Sequence, residues 1–360
     1  MRAAVCYEYG APLVIEDVLI DAPKTGEVKV RIAATAICHS DVHNIQGDHG
    51  SALPAVFGHE AAGIVEEVGD EVTTVKLGDR VVVAHLRSCG RCASCLTGFP
   101  HTCEGHFALN AESRLTNARG EQVVQGIRTG SFAEYVVVDQ SQAVPVSDRI
   151  PFDRACLLAC AVVTGFCAVR NAAKVESGKS VVVVGTGGVG INAIQGAVAA
   201  GAHPIIAVDV LDHKLESARS FGATHTVNSA TNADPAQAVR DVTGGRGADY
   251  AFVTVGSTDA ADLAFGMLGV RGMEVLVGVP ALQARISLPM SEWVVSERTV
   301  VGSLMGSTRL SLDVPRLAQM YLDGRYKLDE LVTGRYALED INEAIDGVVR
   351  GDALRNVIVL

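Results

Sequence analysis

The sequence has a single tryptophan, only 5% aromatic residues, no basic run, and no uninterrupted apolar stretch of the ~18 residues a membrane span requires. Each scarcity excludes something. Without a basic run, and with a formal charge of −11, the chain lacks the electrostatic footprint of a nucleic-acid binder or of a protein drawn to anionic membranes. The start, Met1-Arg2-Ala3-Ala4-Val5, reads at once as a strand and offers no signal-peptide h-region, so the cytoplasm is the expected location. Charged residues reach only 20% against 48% hydrophobic, which excludes a disordered chain. At 360 residues one ordinary core is too few, and two domains are expected.

What is abundant is glycine, 37 residues, set among short valine-rich runs. Up to about residue 150 the runs alternate or stay short, as in Val28–Ile32, Ala61–Val68 and Arg80–Val83, with Gly69-Asp70 and Gly78-Asp79 as turns. This half is predicted to be β-rich. From Ser180 onwards continuous apolar runs (Ser180–Val184, Ile205–Val208, Tyr250–Val255, Glu274–Val279) alternate with helical patterns ending near Ala200 and Phe221. Strands alternating with helices predict a parallel sheet. Helices and a last strand, Asn356–Leu360, follow residue 300. The fold class is therefore α/β, a doubly wound parallel-sheet domain joined to a β-rich one.

The first buried run ends in Gly185-Thr186-Gly187-Gly188-Val189-Gly190, a G-x-G-x-x-G that opens a predicted helix. Gly185 allows the tight turn, Gly187 lets backbone approach a pyrophosphate, and Gly190 lets helix and strand pack; the helix N-terminus favours the anion. The second run ends at Asp209, 24 residues past Gly185. A carboxylate there can bond a ribose and repel a 2′-phosphate, which predicts NAD rather than NADP. A glycine-rich turn with a capping aspartate is the bland alternative.

Nine cysteines is an odd number, and four crowd together as Cys89, Cys92, Cys95 and Cys103. In a reducing compartment C-x2-C-x2-C-x7-C reads as ligands to one metal. Four thiolates close a tetrahedral zinc site and leave no position for substrate, so the site is structural. An iron–sulfur cluster is the rival reading. Cys38, His59 and Cys160 are each weak signals alone, and spacing does not bring them together; Cys156 and Cys167 compete with Cys160.

Taken together, Gly58-His59-Glu60-Ala61-Ala62-Gly63-Ile64-Val65, the four-cysteine lobe, Cys38 with Ser40 and His43, and GTGGVG with Asp209 make the chain resemble the zinc-containing alcohol dehydrogenases of the medium-chain dehydrogenase/reductase family along essentially its whole length. The resemblance implies a Rossmann domain over 160–301, inserted into a GroES-like catalytic domain over 1–159 and 302–360 whose zinc lobe is 89–103. It implies two zinc ions: a structural one, and a catalytic one on Cys38, His59 and Cys160. Glu60 and Asp41 match the family's carboxylates behind the metal, Asp41 orienting His59. Ser40 and His43 match its proton relay. His39, Thr164, Gly188, Val189, Lys214, Val277 and Arg355 would join the glycines and Asp209 around NAD, with Arg355 and His39 at the pyrophosphate and Cys160 placed by its interval to a Thr164-Gly165 turn. The implied reaction moves hydride between an alcohol and NAD, giving an aldehyde or ketone.

Three features depart from that pattern. His39 replaces an arginine, and a histidine is charged only part of the time near neutral pH. His85 replaces an aromatic wall of the substrate cleft, with His49 as a second polar lining residue. Residues 104–130 form a long connection carrying Arg114, Arg119 and Arg128, expected to favour a homodimer over a tetramer and able to meet an anionic substrate. The rival functions are a zinc-free quinone or enoyl reductase and a non-enzymatic NAD sensor with structural zinc only.

Overall fold

The computed structural model describes all residues from Met1 to Leu360. The chain divides into two compact units, Met1–Ala161 with Arg309–Leu360, and Val162–Thr308. The sequence boundaries at 159/160 and 301/302 shift a little. Cys160 belongs to the first unit, because the 3-10 turn Cys156–Ala159 that precedes it is buried in that unit's core. The second crossing lies past the turn Leu304–Ser307.

The first unit is the predicted β-rich one. Arg2–Cys6, Val14–Ile20, Leu115–Asn117, Gln122–Gln125 and Ala55–Val56 close a small barrel. A seven-stranded sheet follows the order Ala143–Pro145, Arg80–Val83, Ala61–Val68, Glu27–Ala36, Arg355–Val359, Val332–Tyr336, with Tyr135–Asp139 also on Glu27–Ala36. The long strand Glu27–Ala36 is central because it can pair along three segments. Its register sets Ala61 opposite Thr35 and Val357 opposite Ala36. Alternating residues Val28, Val30 and Ile32 fill the core against Val65, Val81 and Val83, each burial contributing roughly 1.5–3 kcal/mol.

The segment 104–130 is not a bare connection. It contains the two strands that close the barrel, and Arg114 within it is buried, clasping Glu27 by two bonds, Nη2–Oε1 at 2.6 Å and Nε–Oε2 at 2.9 Å. A fork matched to a carboxylate ties barrel to sheet. Sequence spacing missed this because strands of three and four residues carry too little alternation.

The second unit is the predicted doubly wound sheet. Six parallel strands run in the order His225–Asn228, Ile205–Asp209, Val181–Val184, Ala248–Val253, Leu268–Leu276, Thr299–Gly302. Val181–Val184 is fully buried in the centre, as a continuous apolar run demands. The helix Gly188–Ala200 starts directly after it. Thr164 and Gly165 lie in the helix Ala161–Cys167, not in a turn. No single helix is long and apolar enough to cross a membrane.

Glu274 breaks the apolar rule of this sheet. It is 0% exposed, and neither carboxylate oxygen has a partner. Burial, with Asp262 adding to it, pushes its carboxyl up to about 7. A raised carboxyl favours the folded state only while protonated. Stability is therefore full at acid pH, falls as pH rises from the ordinary glutamate value towards about 7, and stays lower above it, by about 3 kcal/mol. Glu274→Gln is expected to raise stability near pH 8 by about 1–3 kcal/mol and hardly at all near pH 4, read by urea unfolding at both. An equal gain at both would mean that the charge is not the cause.

Candidate metal and nucleotide sites

Cys38 stands where the strand Glu27–Ala36 gives way to the helix His39–Gln46, as that helix's N-cap. Asp41, in the helix's first turn, reaches back to accept the Cys38 N–H at 3.0 Å. The same carboxylate accepts the Gly58 N–H at 3.0 Å and lies 2.9 Å from His59 Nδ1. Gly58 has φ +91, and a Cβ there would lie 2.6 Å from the Phe132 ring, so only glycine can turn the chain into His59. Cys160 follows the turn Cys156–Ala159. Glu60 accepts the N–H of the next residue, Ala161, at 2.8 Å.

Three segments thus bring Cys38, His59 and Cys160 together, all buried, with one donor atom from each lying within 4.8 Å of the others. A tetrahedral zinc with ligands at about 2.0–2.3 Å separates its donors by roughly 3.3–3.8 Å, so the three fit one ion and leave a fourth position. An ionised carboxylate only accepts, so Asp41 fixes the proton on Nδ1 and turns the Nε2 lone pair towards the thiols. Hydrogen bonding to Cys160, with His59 adding charge and a second bond, holds the Cys38 thiol well below its ordinary value despite burial. Burial opposes charge on His59, but Asp41 outweighs it and raises the imidazole. Protons therefore compete with a metal for this site.

Behind the ligands, Glu60 Oε2 is paired with the Arg355 guanidinium. Arg355, expected at a pyrophosphate, is 4% exposed and engaged with Glu60 in this unit. Burial lowers its pKa, while Cys38 and Asp41 oppose that. The His85 ring meets His59 edge-on at 5.2 Å, and its Nδ1 is buried without a partner. Burial first, then His59 and Arg128, pull His85 down to about 3, so the ring is neutral.

Ser40 and His43 share one face of the helix His39–Gln46, three residues apart. His43 Nδ1 is 2.7 Å from Asp48, a partner that sequence reasoning missed; the His-x4-Asp spacing across the Gly47 cap was its only signal. His49 lies 5.5 Å from His43, ring to ring, and its Nε2 is buried without a partner. His39 is exposed at the helix start.

Cys89, Cys92, Cys95 and Cys103 also gather within 4.8 Å. Cys92 and Cys103 sulfurs are 3.8 Å apart, the spacing of two zinc ligands. The Cys89 and Gly105 N–H groups point at Cys103, and that of Cys95 at Cys92, as donors to thiolates. No disulfide forms among the nine cysteines.

In the second unit the glycine motif divides by task. A Cβ on Gly190 would lie 1.9 Å from the Gly185 carbonyl, so it is needed for helix–strand packing. A Cβ on Gly187 would meet no atom, so that space is open to a ligand at the N-terminus of Gly188–Ala200. Asp209, 9% exposed, accepts from Thr186 N at 2.7 Å and Thr186 Oγ1 at 2.9 Å, and from Val210 N at 2.8 Å and Leu211 N at 3.1 Å. It braces the glycine turn itself, the role of the capping aspartate that the sequence offered as the alternative to a ribose ligand. Val277 is buried, Lys214 half-buried, and the Thr164 hydroxyl donates to Met305 Sδ at 3.2 Å.

Residues 24–148 match the family described as "Alcohol dehydrogenase GroES-like domain", and 188–322 match "Zinc-binding dehydrogenase". The chain is 39% identical to the NDMA-dependent alcohol dehydrogenase of Amycolatopsis methanolica, over 99% of this chain and 98% of that one. The chain belongs to the zinc-containing alcohol dehydrogenases of the medium-chain dehydrogenase/reductase family. It is 36% identical to the S-(hydroxymethyl)glutathione dehydrogenase of Paracoccus denitrificans, over 99% of each chain. The benzyl alcohol dehydrogenase of Acinetobacter calcoaceticus superposes with a TM-score of 0.93 at 33% identity, over 100% of this chain and 99% of that one. An alcohol dehydrogenase zinc-binding domain protein from Burkholderia ambifaria reaches 0.95 at 36%, over 100% and 98%. As a member of this family the chain is an oxidoreductase acting on small-molecule alcohols, with zinc and a nucleotide as its cofactors.

If Asp41 orients a metal ligand, Asp41→Asn weakens zinc binding at the Cys38 site by about 10–100-fold. Chelator competition on the folded variant measures this, with the four-cysteine site as internal control. Unchanged affinity would confine Asp41 to its backbone contacts.

Proposed function

We propose that this chain oxidises alcohols to aldehydes or ketones, and reduces them in reverse, with NAD as hydride partner, a catalytic zinc on Cys38, His59 and Cys160, and a structural zinc on Cys89, Cys92, Cys95 and Cys103. The observation that carries the proposal is the convergence of two thiols and one oriented imidazole, all buried, at a spacing that fits one ion with a ligand position to spare. A zinc-free reductase has no need of that set. When bound, zinc supplies Lewis acidity towards the alcohol or carbonyl oxygen, and the nicotinamide accepts or returns hydride.

The chain's own residues do the rest. Cys38, His59 and Cys160 hold the ion, and Asp41 keeps the His59 tautomer. Ser40 takes the alcohol proton at its hydroxyl and His43 passes it on at Nε2, because Asp48 occupies Nδ1. Glu60, held by Ala161 and Arg355, stands behind the metal site. His85 and His49 line the substrate side. In the nucleotide-binding domain, Gly185, Gly187, Gly188, Val189 and Gly190 cradle the pyrophosphate, Asp209 meets the adenosine ribose, and Thr164, Lys214 and Val277 line the rest of NAD. His39 and, once freed from Glu60, Arg355 complete the pyrophosphate contacts. A cytoplasmic location suits nine cysteines with no disulfide among them.

A homodimer is part of the same proposal. Thr299–Gly302 ends the six-stranded sheet and leaves one ladder edge unpaired. The nearby helix Met290–Ser296 exposes Met290 at 76%, Val294 at 72% and Val295 at 83%. Such an edge with an apolar flank is stable when a second copy covers it.

Alcohol-dependent NADH formation across aliphatic, aromatic and polyol substrates tests the reaction, with an NDMA arm because one relative is named for it. Turnover with NAD and two zinc per chain is expected; one zinc and no turnover would return the chain to the sensor reading. Asp209→Ala is expected to narrow the NAD-over-NADP preference by about tenfold or more, and an unmoved ratio would remove Asp209 from the ribose. Light scattering should give a dimer for the native chain and a monomer for Val294→Asp/Val295→Asp; a native monomer would end the interface proposal.

A further inference from the structure

Asp209 has every acceptor position filled. An ionised carboxylate offers about four lone-pair sites, two on each oxygen, and no donor. Oδ1 accepts the Val210 and Leu211 N–H groups at 2.8 and 3.1 Å. Oδ2 accepts the Thr186 N–H at 2.7 Å and the Thr186 hydroxyl at 2.9 Å. A ribose hydroxyl that donates to this carboxylate therefore finds no free site, and one of the four bonds must give way.

The four donors are not equal. Three belong to backbone whose place is fixed. Val210 and Leu211 join the buried strand Ile205–Asp209 to the helix Asp212–Ser220. The Thr186 N–H belongs to the glycine turn, where the Gly185 carbonyl accepts from Thr254 Oγ1 at 2.6 Å and a Cβ on Gly185 would lie 2.5 Å from Val255 Cγ1. The fourth donor is a hydroxyl, free to turn about its own C–O bond. It has nowhere else to donate: Thr186 is 0% exposed, and Asp209 is the hydroxyl's only partner. Asp209 is 9% exposed, so a ligand reaches the carboxylate and not the threonine.

We infer that Thr186 tunes the affinity for NAD(H), because the adenosine ribose gains its bond to Asp209 only by displacing the Thr186 hydroxyl. The inference rests on the proposed ribose role of Asp209. The three N–H groups keep the carboxylate in place while one hydroxyl replaces the other. The displaced hydroxyl is left buried and unpaired, which cancels most of what the ribose contact adds. Thr186 thus acts through Asp209, as a positioning residue that weakens binding, and removing its hydroxyl strengthens the hold on the nucleotide. A residue that only braced the turn would have the opposite effect when lost.

Isothermal titration of the zinc-loaded enzyme tests this with NADH and its analogue lacking the adenosine 2′-hydroxyl, the group an acidic residue at this position bonds. The chains compared are the native one, Thr186→Val and Thr186→Ala, which lack the hydroxyl, and Thr186→Ser, which keeps it. In the native chain and in Thr186→Ser the two nucleotides should bind within about threefold of each other. In Thr186→Val and Thr186→Ala, NADH should tighten by about tenfold and the analogue not at all. An NADH advantage of about tenfold already in the native chain means that the ribose displaces nothing, and overturns the inference while leaving the ribose contact standing. Weaker NADH binding in the hydroxyl-free variants, or equal tightening of both nucleotides, overturns it too. Equal binding of both nucleotides in every chain removes the ribose contact itself, and no NADH binding at all removes the NAD reading; the inference falls with either.

Discussion

The structure of the first unit turns on the Asp41 carboxylate. It is 0% exposed, and it is stabilised by three donors from two chain segments, the N–H groups of Cys38 and Gly58 and the His59 ring. A carboxylate without such donors would be far too costly to bury. The requirement runs the other way as well. Because the charge must be met, the start of the helix His39–Gln46 and the Gly58 turn are held at fixed distance, and the Cys38 and His59 side chains with them. One group thus sets a backbone junction, a histidine tautomer and the reach of two candidate ligands.

Cys160 arrives by a similar device. Glu60, next to His59, takes the Ala161 N–H, so the residue following Cys160 is fastened to the residue following His59. Its other oxygen faces Arg355, which opens the last strand, and that strand pairs with Glu27–Ala36 through Val357 and Ala36. The segment after the nucleotide-binding unit therefore closes on the same sheet and the same carboxylate, Glu60, as the segment before it. An inserted domain can be accommodated because the host unit's sheet and its Cys38–His59–Cys160 cluster are complete without it.

Much of this was legible in the sequence, and the limits follow from locality. Strands Ala61–Val68 and Arg80–Val83 and the helix after GTGGVG stand where periodicity placed them, since each pattern is contained in a few residues. The cysteine lobe was legible for the same reason. Cys38, His59 and Cys160 were not, because no spacing rule states that segments so far apart meet; only resemblance to a family joined them. Contacts between distant polar groups stayed hidden altogether. Glu27 and Arg114 look like ordinary surface charges until the fold buries them as a pair. Asp209 reads as a ribose ligand, yet Thr186, Val210 and Leu211 already supply it with four donors. Any ribose contact is thus added to a carboxylate already fixed in place, which is what orientation of a ligand requires.

A charge count likewise cannot tell an occupied arginine from an available one. Three arginines in 104–130 contribute equally to composition, but their contacts separate them: one clasps a buried glutamate, one covers a tyrosine, and one is exposed on a left-handed turn. Holding Ile127 and Arg128 in left-handed conformation costs about 1–3 kcal/mol per residue. Two hydrogen bonds to the Arg128 carbonyl, one from a buried guanidinium, offset part of that, at roughly 1.5–3 kcal/mol for the charged donor. The strain is thus only partly offset, and the turn itself adds nothing to stability. A strained turn held by a buried cation persists because the surrounding contacts over-determine it, not because the turn stabilises the fold.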